Sequence, residues 1–107
     1  MTTFDKREEA FERQFALDEE LKFKAEARRD RLLGLWAAEK LGKSGAEAQA
    51  YARGVIDADF TEAGDANVLQ KVLDDLSAGN IVMTEGEVRA KMNEFLTIAV
   101  AQVKAGT

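Results

Sequence analysis

The side chains that most often carry catalysis are scarce in this sequence. Its 107 residues include no histidine and no cysteine. This removes the commonest general base, the commonest metal ligand and the thiolate nucleophile. Ser44 and Ser77 therefore have no histidine to activate them. We predict no catalytic residue and no metal site, and we expect a binding protein rather than an enzyme.

Carboxylates are plentiful, but they lie close together along predicted helices. Hydrolases that use two carboxyl groups hold them on opposite sides of a cleft, and neighbours on one helix cannot adopt that arrangement. The pattern instead indicates solvated helix faces. The three acidic clusters are Asp18-Glu19-Glu20, Asp57/Asp59/Glu62 and Asp74-Asp75.

The tripeptide Gly42-Lys43-Ser44 resembles the end of a phosphate-binding P-loop. The first glycine of that motif would fall on Ala37, and a helix is predicted where the motif requires a strand. A weaker site remains open as an alternative, because the free N–H groups at a helix start attract phosphate. Its candidate nucleotide-binding residues are Lys40, Lys43 and Ser44.

Charge and hydropathy exclude several classes of partner. Hydrophobic residues make up 46% of the chain, charged residues 33%, and the formal net charge is −5. An acidic protein is a poor ligand for nucleic acid or for an anionic membrane, since both require a basic face. The chain has no apolar run of the roughly 20 residues that span a bilayer. It also lacks the apolar stretch of a signal peptide. We expect a cytoplasmic protein.

The elements that carry these residues are predicted to be helices. The sequence has no proline, and glycines mark the breaks between segments with helical periodicity. Ser44 with Glu47, and Thr84 with Glu87, fit the capping box in which two residues satisfy each other's backbone N–H groups. The predicted fold is all-α, a small four-helix bundle with a long first helix. The predicted helices run from about Thr3 to Leu41, from about Gly45 to about Ala63 and from Ala66 to Ala78, and a fourth follows the Thr84 cap and carries Val88 to Val103.

Apolar residues at helical spacing predict the face that each helix buries. Trp36 lies in the densest apolar stretch, so we predict that it belongs to the core. On the first helix the predicted inner face is Leu21, Ala25, Arg28, Leu32 and Leu35/Trp36. On the other three it is Ala48, Tyr51, Ala52, Val55 and Ile56; then Val68, Leu69, Val72, Leu73 and Leu76; then Val88, Met92, Phe95/Leu96, Ala99 and Val103.

One basic stripe stands out in this acidic chain. Lys24, Arg28 and Arg31 recur along one side of the first helix. Part of this charge is explained by ordinary pairing with acidic residues one turn away, such as Glu20 with Lys24. The stripe could also meet an acidic partner, and the sequence leaves both interpretations open.

The amino-terminal stretch differs from the remainder of the chain. Phe4, Phe11 and Phe15 would share one side of a helix, and charged residues surround them. This stripe is narrower than the apolar face that usually anchors a helix to a bundle. It could cap the end of the bundle, or it could enter a groove of another protein as an amphipathic ligand.

The sequence also resembles a known family, the ζ subunit of alphaproteobacterial rotary ATP synthases. The resemblance extends over essentially the whole chain. Its motifs are Phe4-Asp5-x-Arg7-Glu8-x-Ala10-Phe11-Glu12-x-x-Phe15-Ala16, Asp18-Glu19-Glu20, Phe23-Lys24-Ala25-Glu26-Ala27-Arg28-Arg29, Leu32-Leu33-Gly34-Leu35-Trp36-Ala37-Ala38-Glu39, Gly42-Lys43-x-Gly45-Ala46 and Ala58-Asp59-Phe60-x-Glu62-Ala63-Gly64-Asp65.

This resemblance implies a non-enzymatic regulator that inhibits ATP hydrolysis by the catalytic head of the ATP synthase. It implies a bundle domain, residues 20–107, preceded by a mobile inhibitory segment, residues 1–19, that inserts as a helix beside the rotor. It also implies a cytoplasmic location, peripheral to the inner membrane through the synthase and without insertion into it. The implied contacts on the ATPase head are Phe4, Arg7, Phe11 and Phe15, and we add Arg13 from the same helix face.

The resemblance leaves an alternative role open, a helical module that senses adenine nucleotides and inhibits weakly or not at all. The only cofactors that the resemblance implies are ATP and ADP, bound weakly. The sequence departs from the family pattern at two positions. Family members commonly have histidine where this chain has Leu17, and many have asparagine where it has Asp30.

Overall fold

A computed structural model describes residues 19–59 and 65–106, and these residues form four α-helices without a strand. The helices are α1, Glu19–Lys40; α2, Gly45–Asp59; α3, Asp65–Ala78; and α4, Glu85–Lys104. The predicted all-α, four-helix fold is therefore confirmed. The predicted parts of the first helix before Glu19 and of the second helix after Asp59 lie outside the described residues.

Helix α1 is the central element of the bundle. It packs against α2, α3 and α4, while α3 closes the other side by packing on α2 and α4. Side chains from all four helices meet in one cluster, which includes Leu33, Val55, Leu76 and Met92, each at most 1% exposed. The predicted inner faces of α2, α3 and α4 supply this cluster, with Tyr51, Leu73 and Phe95 packed at its edge.

The predicted inner face of α1 is right at Ala25, which is buried, but its orientation is wrong at Arg28, Leu32 and Leu35. The helix buries Ala25, Arg29, Asp30, Leu33, Gly34, Ala37 and Ala38, whereas Arg28, Leu32 and Leu35 are only half-buried. The physical reason is size. A central helix with three neighbours turns its small residues toward the closest one, and a β-carbon added at Gly34 would lie 2.6 Å from the Ala52 Cα. Trp36, predicted in the core, packs against it from a half-buried position.

Three helix ends that the structure describes follow the local sequence closely. After α1, Gly42 adopts φ +76°, and the Lys43 N–H donates to the Ala38 carbonyl at 2.9 Å. After α3, Asn80 adopts φ +64°, and the Ile81 N–H donates to the Leu76 carbonyl at 2.8 Å. Both are Schellman motifs, in which a left-handed residue ends the helix.

Helix α4 begins with the predicted capping box. The Glu87 N–H donates to Thr84 Oγ1 at 3.1 Å, and the Thr84 N–H donates to Glu87 Oε1 at 3.0 Å. Met83, just before the cap, packs against the core cluster that contains Val88. This is the place of the residue before the cap in a hydrophobic staple, which packs against the first turn of the helix.

The capping box predicted at Ser44 and Glu47 is wrong. Only the Ser44 backbone carbonyl takes part in the helix start, accepting from the Ala48 N–H at 3.4 Å. Gly45, the first residue of α2, adopts φ +55° directly after Ser44. A capping box needs helical backbone angles directly after the cap residue, and this left-handed glycine turns the chain away from that geometry.

Candidate functional site

The predicted partner-binding residues fall outside the part of the chain that the structure describes. Phe4, Arg7, Phe11, Arg13 and Phe15 all precede α1, whose first residue is Glu19. Their role on an ATPase head therefore stays a prediction. The described structure shows the scaffold that follows them.

The candidate nucleotide-binding residues lie close together in sequence, at the end of α1 and in the turn that follows it. The Lys40 ammonium lies 5.2 Å from the centroid of the Trp36 ring, a cation–π distance. Lys43 is half-buried and Ser44 is exposed in the turn after α1. A helix precedes Gly42, as predicted, so this glycine-lysine-serine sequence does not have the strand–loop–helix structure of a P-loop.

Trp36 is the centre of a small aromatic and basic cluster at the contact between α1 and α4. Its ring meets Phe95 edge-on, with centroids 6.4 Å apart at an angle of 62°. The Lys91 ammonium lies 5.9 Å from the centroids of both rings. Two ammonium groups thus lie beside one indole ring, with Lys40 from α1 and Lys91 from α4.

The basic stripe of α1 lies along an open groove of about 550 Å³, where Ile56 and Val103 contribute apolar side chains. Each of its cations has a polar partner. Lys24 pairs with Glu20 at 3.2 Å, Arg28 donates to Gln102 at 3.4 Å, and Arg31 donates to Gln49 at 3.4 Å. These contacts tie α1 to α2 and α4.

A buried ionic cluster that was not predicted from the sequence joins α1 to α2. Arg29 Nε donates to Asp30 Oδ1 at 3.0 Å, and Arg29 Nη2 donates to Asp59 Oδ2 at 3.3 Å. The side chains of Arg29, Asp30 and Asp59 are 7%, 0% and 13% exposed. Asp59 was predicted on a solvated face, and that prediction is wrong because it closes against Arg29.

The cluster shifts the protonation of Asp30. Burial, above all, raises the pKa of Asp30 from 3.8 to about 8. Hydrogen bonding to the Asp59 carboxyl and repulsion from its charge act in the same direction, while Arg29 opposes them. A signal was present in the sequence, since Asp30 is followed at helical spacing by Gly34 and Ala38, two small residues typical of a closely packed face.

Asp75 is a second departure from the predicted solvated face. It accepts hydrogen bonds from Tyr51 Oη at 2.8 Å and from Lys71 Nζ at 3.1 Å, which links α2 to α3. Burial and this hydrogen bond raise the pKa of Tyr51 well above its usual range. Both causes favour the neutral phenol, which is the form that donates to Asp75.

Two further classes of site are not found in the described structure. Residues 19–59 and 65–106 contain no group of three acidic side chains placed to hold a metal ion. None of their helices combines the length and the apolar character required to cross a membrane. The candidate surfaces are therefore those described above.

Comparison with known proteins decides between the classes of function that this geometry leaves open. The sequence model of the family described as ATPase inhibitor subunit zeta matches residues 1–102. The chain belongs to this family. As a member of the ATPase inhibitor subunit zeta family, it is a regulatory protein whose partner is an ATP synthase, which confirms the predicted resemblance.

A solved structure is similar to this ATPase inhibitor subunit zeta over most of its length. A protein determined by solution NMR is 52% identical to it, with a TM-score of 0.70. The match covers 81% of this chain and 99% of the other. The search among curated proteins found no match. The fold of the bundle is thus shared with an experimentally determined relative.

Proposed function

We propose that this ATPase inhibitor subunit zeta blocks ATP hydrolysis by inserting its amino-terminal segment, residues 1–19, into the catalytic head beside the rotor. The observation that carries the proposal is the family match, which begins at residue 1 and so includes that segment. The contacts would be Phe4, Arg7, Phe11, Arg13 and Phe15. The protein would act in the cytoplasm, held at the inner membrane through the synthase.

The described bundle supports a division of labour between the two parts of the chain. The largest fully buried side chains of the described residues, such as Leu33, Leu76 and Met92, come from α1, α3 and α4 and share one cluster with α2. The bundle thus has a core of its own downstream of residue 18. A segment with a sparse aromatic stripe can then use its phenylalanines on a partner.

Chemistry at the proposed interface follows from the residue types. A phenylalanine that is fully buried contributes about 1.5–3 kcal/mol. An arginine can pair with a carboxylate through two hydrogen bonds or stack on an aromatic ring. A few such residues usually dominate the affinity of an interface, so the phenylalanines and Arg7 are the first residues to test.

The test is ATP hydrolysis by the purified ATPase head in the presence of this protein. We expect full-length protein to inhibit, and residues 20–107 to remain helical by circular dichroism without inhibiting. In the full-length chain, Phe11→Ala with Phe15→Ala should weaken inhibition about a hundredfold or more, because two buried rings are lost.

Phe23→Ala is the matched control, because Phe23 is a phenylalanine of α1, 54% exposed and downstream of the segment. It should leave inhibition nearly unchanged. Equal inhibition by full-length protein and by residues 20–107 would refute the proposed segment as the inhibitory site.

We propose nucleotide sensing as a second candidate function, which the groups around Trp36 and the start of α2 support. Lys40 and Lys91 hold two ammonium groups beside the Trp36 ring, and the start of α2 lacks the capping box predicted there. Cations, an aromatic face and helix N–H groups are the groups that bind nucleotides. On titration with ATP, amide shifts at residues 33–46 would support this role, and unchanged spectra would contradict it.

A further inference from the structure

The buried cluster of Arg29, Asp30 and Asp59 has one cation for two carboxyl groups. Arg29 and Asp30 are neighbours on α1, and Asp59 is the last residue of α2. With both carboxyl groups ionised the cluster would carry a net negative charge in a place that water scarcely reaches. Burying such a charge is costly unless it is fully paired.

One oxygen of the cluster shows where a proton belongs. Asp30 Oδ2 is buried and accepts no hydrogen bond in the described structure, whereas Asp30 Oδ1 accepts from Arg29. An ionised carboxylate only accepts hydrogen bonds, so its Oδ2 would be left without a donor. A protonated Asp30 can instead donate to the Asp59 carboxyl, and the cluster then has balanced charge.

We propose that Arg29, Asp30 and Asp59 form a proton-sensitive latch between α1 and α2, closed by one proton held between the two carboxyl groups. Removing that proton leaves two negative charges facing one guanidinium, which loosens the contact between the end of α2 and α1. The proposal concerns the bundle itself and does not depend on the proposed inhibitory mechanism.

The surroundings of the latch allow the proton to exchange with solvent. Asp59 borders a small cavity of about 90 Å³, with Glu26 and Phe23 also on its wall. Besides Asp59, Glu26 is the charged residue that lines this cavity, and it can only add negative charge. From α3 and α4, no described charged residue forms an ion pair or hydrogen bond with the three latch residues.

The sign of the pH dependence follows from the raised pKa of Asp30. In the unfolded chain this carboxyl loses its proton near its ordinary pKa of 3.8, whereas in the folded protein it keeps the proton until about pH 8. The latch therefore stabilises the fold most fully below pH 3.8, and its contribution is lost progressively as the pH rises to about 8. Above that value both states are ionised and the contribution no longer changes.

Two measurements on the full-length protein test the latch. The first is the ¹³C chemical shift of the Asp30 side-chain carboxyl by NMR as a function of pH, which we expect to change with a midpoint far above that of an ordinary aspartate. The second is the folding equilibrium constant from urea unfolding at pH 6 and pH 9. For the wild type this constant should fall by about a hundredfold. Between pH 6 and the folded-state pKa of Asp30 at about 8, unfolding releases one proton, so each of these two pH units lowers the constant about tenfold.

Asp30→Asn is the decisive variant, because an amide keeps the shape and the donor of a protonated carboxyl but cannot ionise. We expect it to lose most of the change between pH 6 and pH 9. Asp65→Asn is the matched control, since Asp65 pairs with Arg89 at the surface with half its side chain exposed. It should keep the wild-type pH dependence.

Two results would overturn the proposal. One is an Asp30 carboxyl that titrates near pH 4 in the wild type, which needs no variant and so holds even if Asp30→Asn fails to fold. The other is an equal pH dependence of stability in Asp30→Asn and the wild type.

Discussion

Replacing Arg29 by methionine should destabilise the protein by about 3–5 kcal/mol, the usual cost of removing one partner from a buried ion pair. Arg29 is the one described cation that contacts both Asp30 and Asp59. Without it, the two buried carboxyl groups have no cationic partner among the described residues, and the pKa of Asp30 should rise further because the attraction that lowers it is gone. Urea unfolding at pH 7 measures the loss.

Two further variants test whether this loss of stability depends on the buried geometry of Arg29. Arg29→Lys keeps the charge but not the planar fork that reaches two carboxyl groups, so we expect an intermediate loss. Arg31→Met removes an exposed arginine two residues along the same helix, whose partner is Gln49. It should change stability by no more than about 0.5 kcal/mol. Similar losses for Arg29→Met and Arg31→Met would contradict this account of the cluster.

Gly34→Ala should destabilise the protein by about 1–3 kcal/mol, although alanine is the better helix former. The added β-carbon would lie 2.6 Å from the Ala52 Cα and 3.3 Å from Val55 Cγ2. The first of these atoms is backbone, so it cannot turn aside as a flexible side chain would. Helices α1 and α2 must therefore separate along their closest contact.

The same substitution at Gly54 should have the opposite sign. A β-carbon at Gly54 would meet the Lys71 Cε at 3.6 Å, which is ordinary van der Waals contact. Gly54→Ala should then gain up to about 1 kcal/mol from helix propensity alone. Thermal unfolding of the two variants beside the wild type gives the comparison. A stabilised Gly34→Ala would show that the two helices do not approach as closely as described.

Much of the fold is local in origin and could be predicted from the sequence. Thr84 and Glu87 satisfy each other's N–H groups within four residues, and Gly42 and Asn80 supply left-handed angles that end their helices. Such signals need no knowledge of the tertiary structure. At Gly45 the same reasoning failed, because a left-handed angle there separates Ser44 from the helix that it was expected to cap.

The burial of α1 could not be predicted in the same way. Hydrophobic periodicity gives weight to large side chains, so it favoured Leu32 and Leu35, whereas Ala37 is buried in the core and Gly34 lies against Ala52 of α2. Charge patterning likewise treats Asp30 as a surface residue. Only the approach of Asp59 from α2, which depends on the packing of two helices, shows that Asp30 is enclosed.

The candidate site, like the fold, can be predicted from the sequence only in part. The aromatic stripe of Phe4, Phe11 and Phe15 is visible in the sequence alone, and the family match extends over it. Its contacts depend on the surface of another protein, which periodicity cannot describe. Lys40 is a second example. It was a candidate because of the loop sequence that follows it, and that loop does not indicate that the Lys40 ammonium lies beside Trp36, one turn earlier in α1.

The positions of Trp36 and Tyr51 have a practical consequence for spectroscopy. The chain has a single tryptophan and a single tyrosine; Trp36 meets Phe95 between α1 and α4, and Tyr51 meets Asp75 between α2 and α3. Each chromophore thus reports on a different helix pair without any introduced label. Coincident unfolding curves from indole fluorescence and from tyrosine absorbance would mark one cooperative unit, and separate curves would reveal which pair opens first.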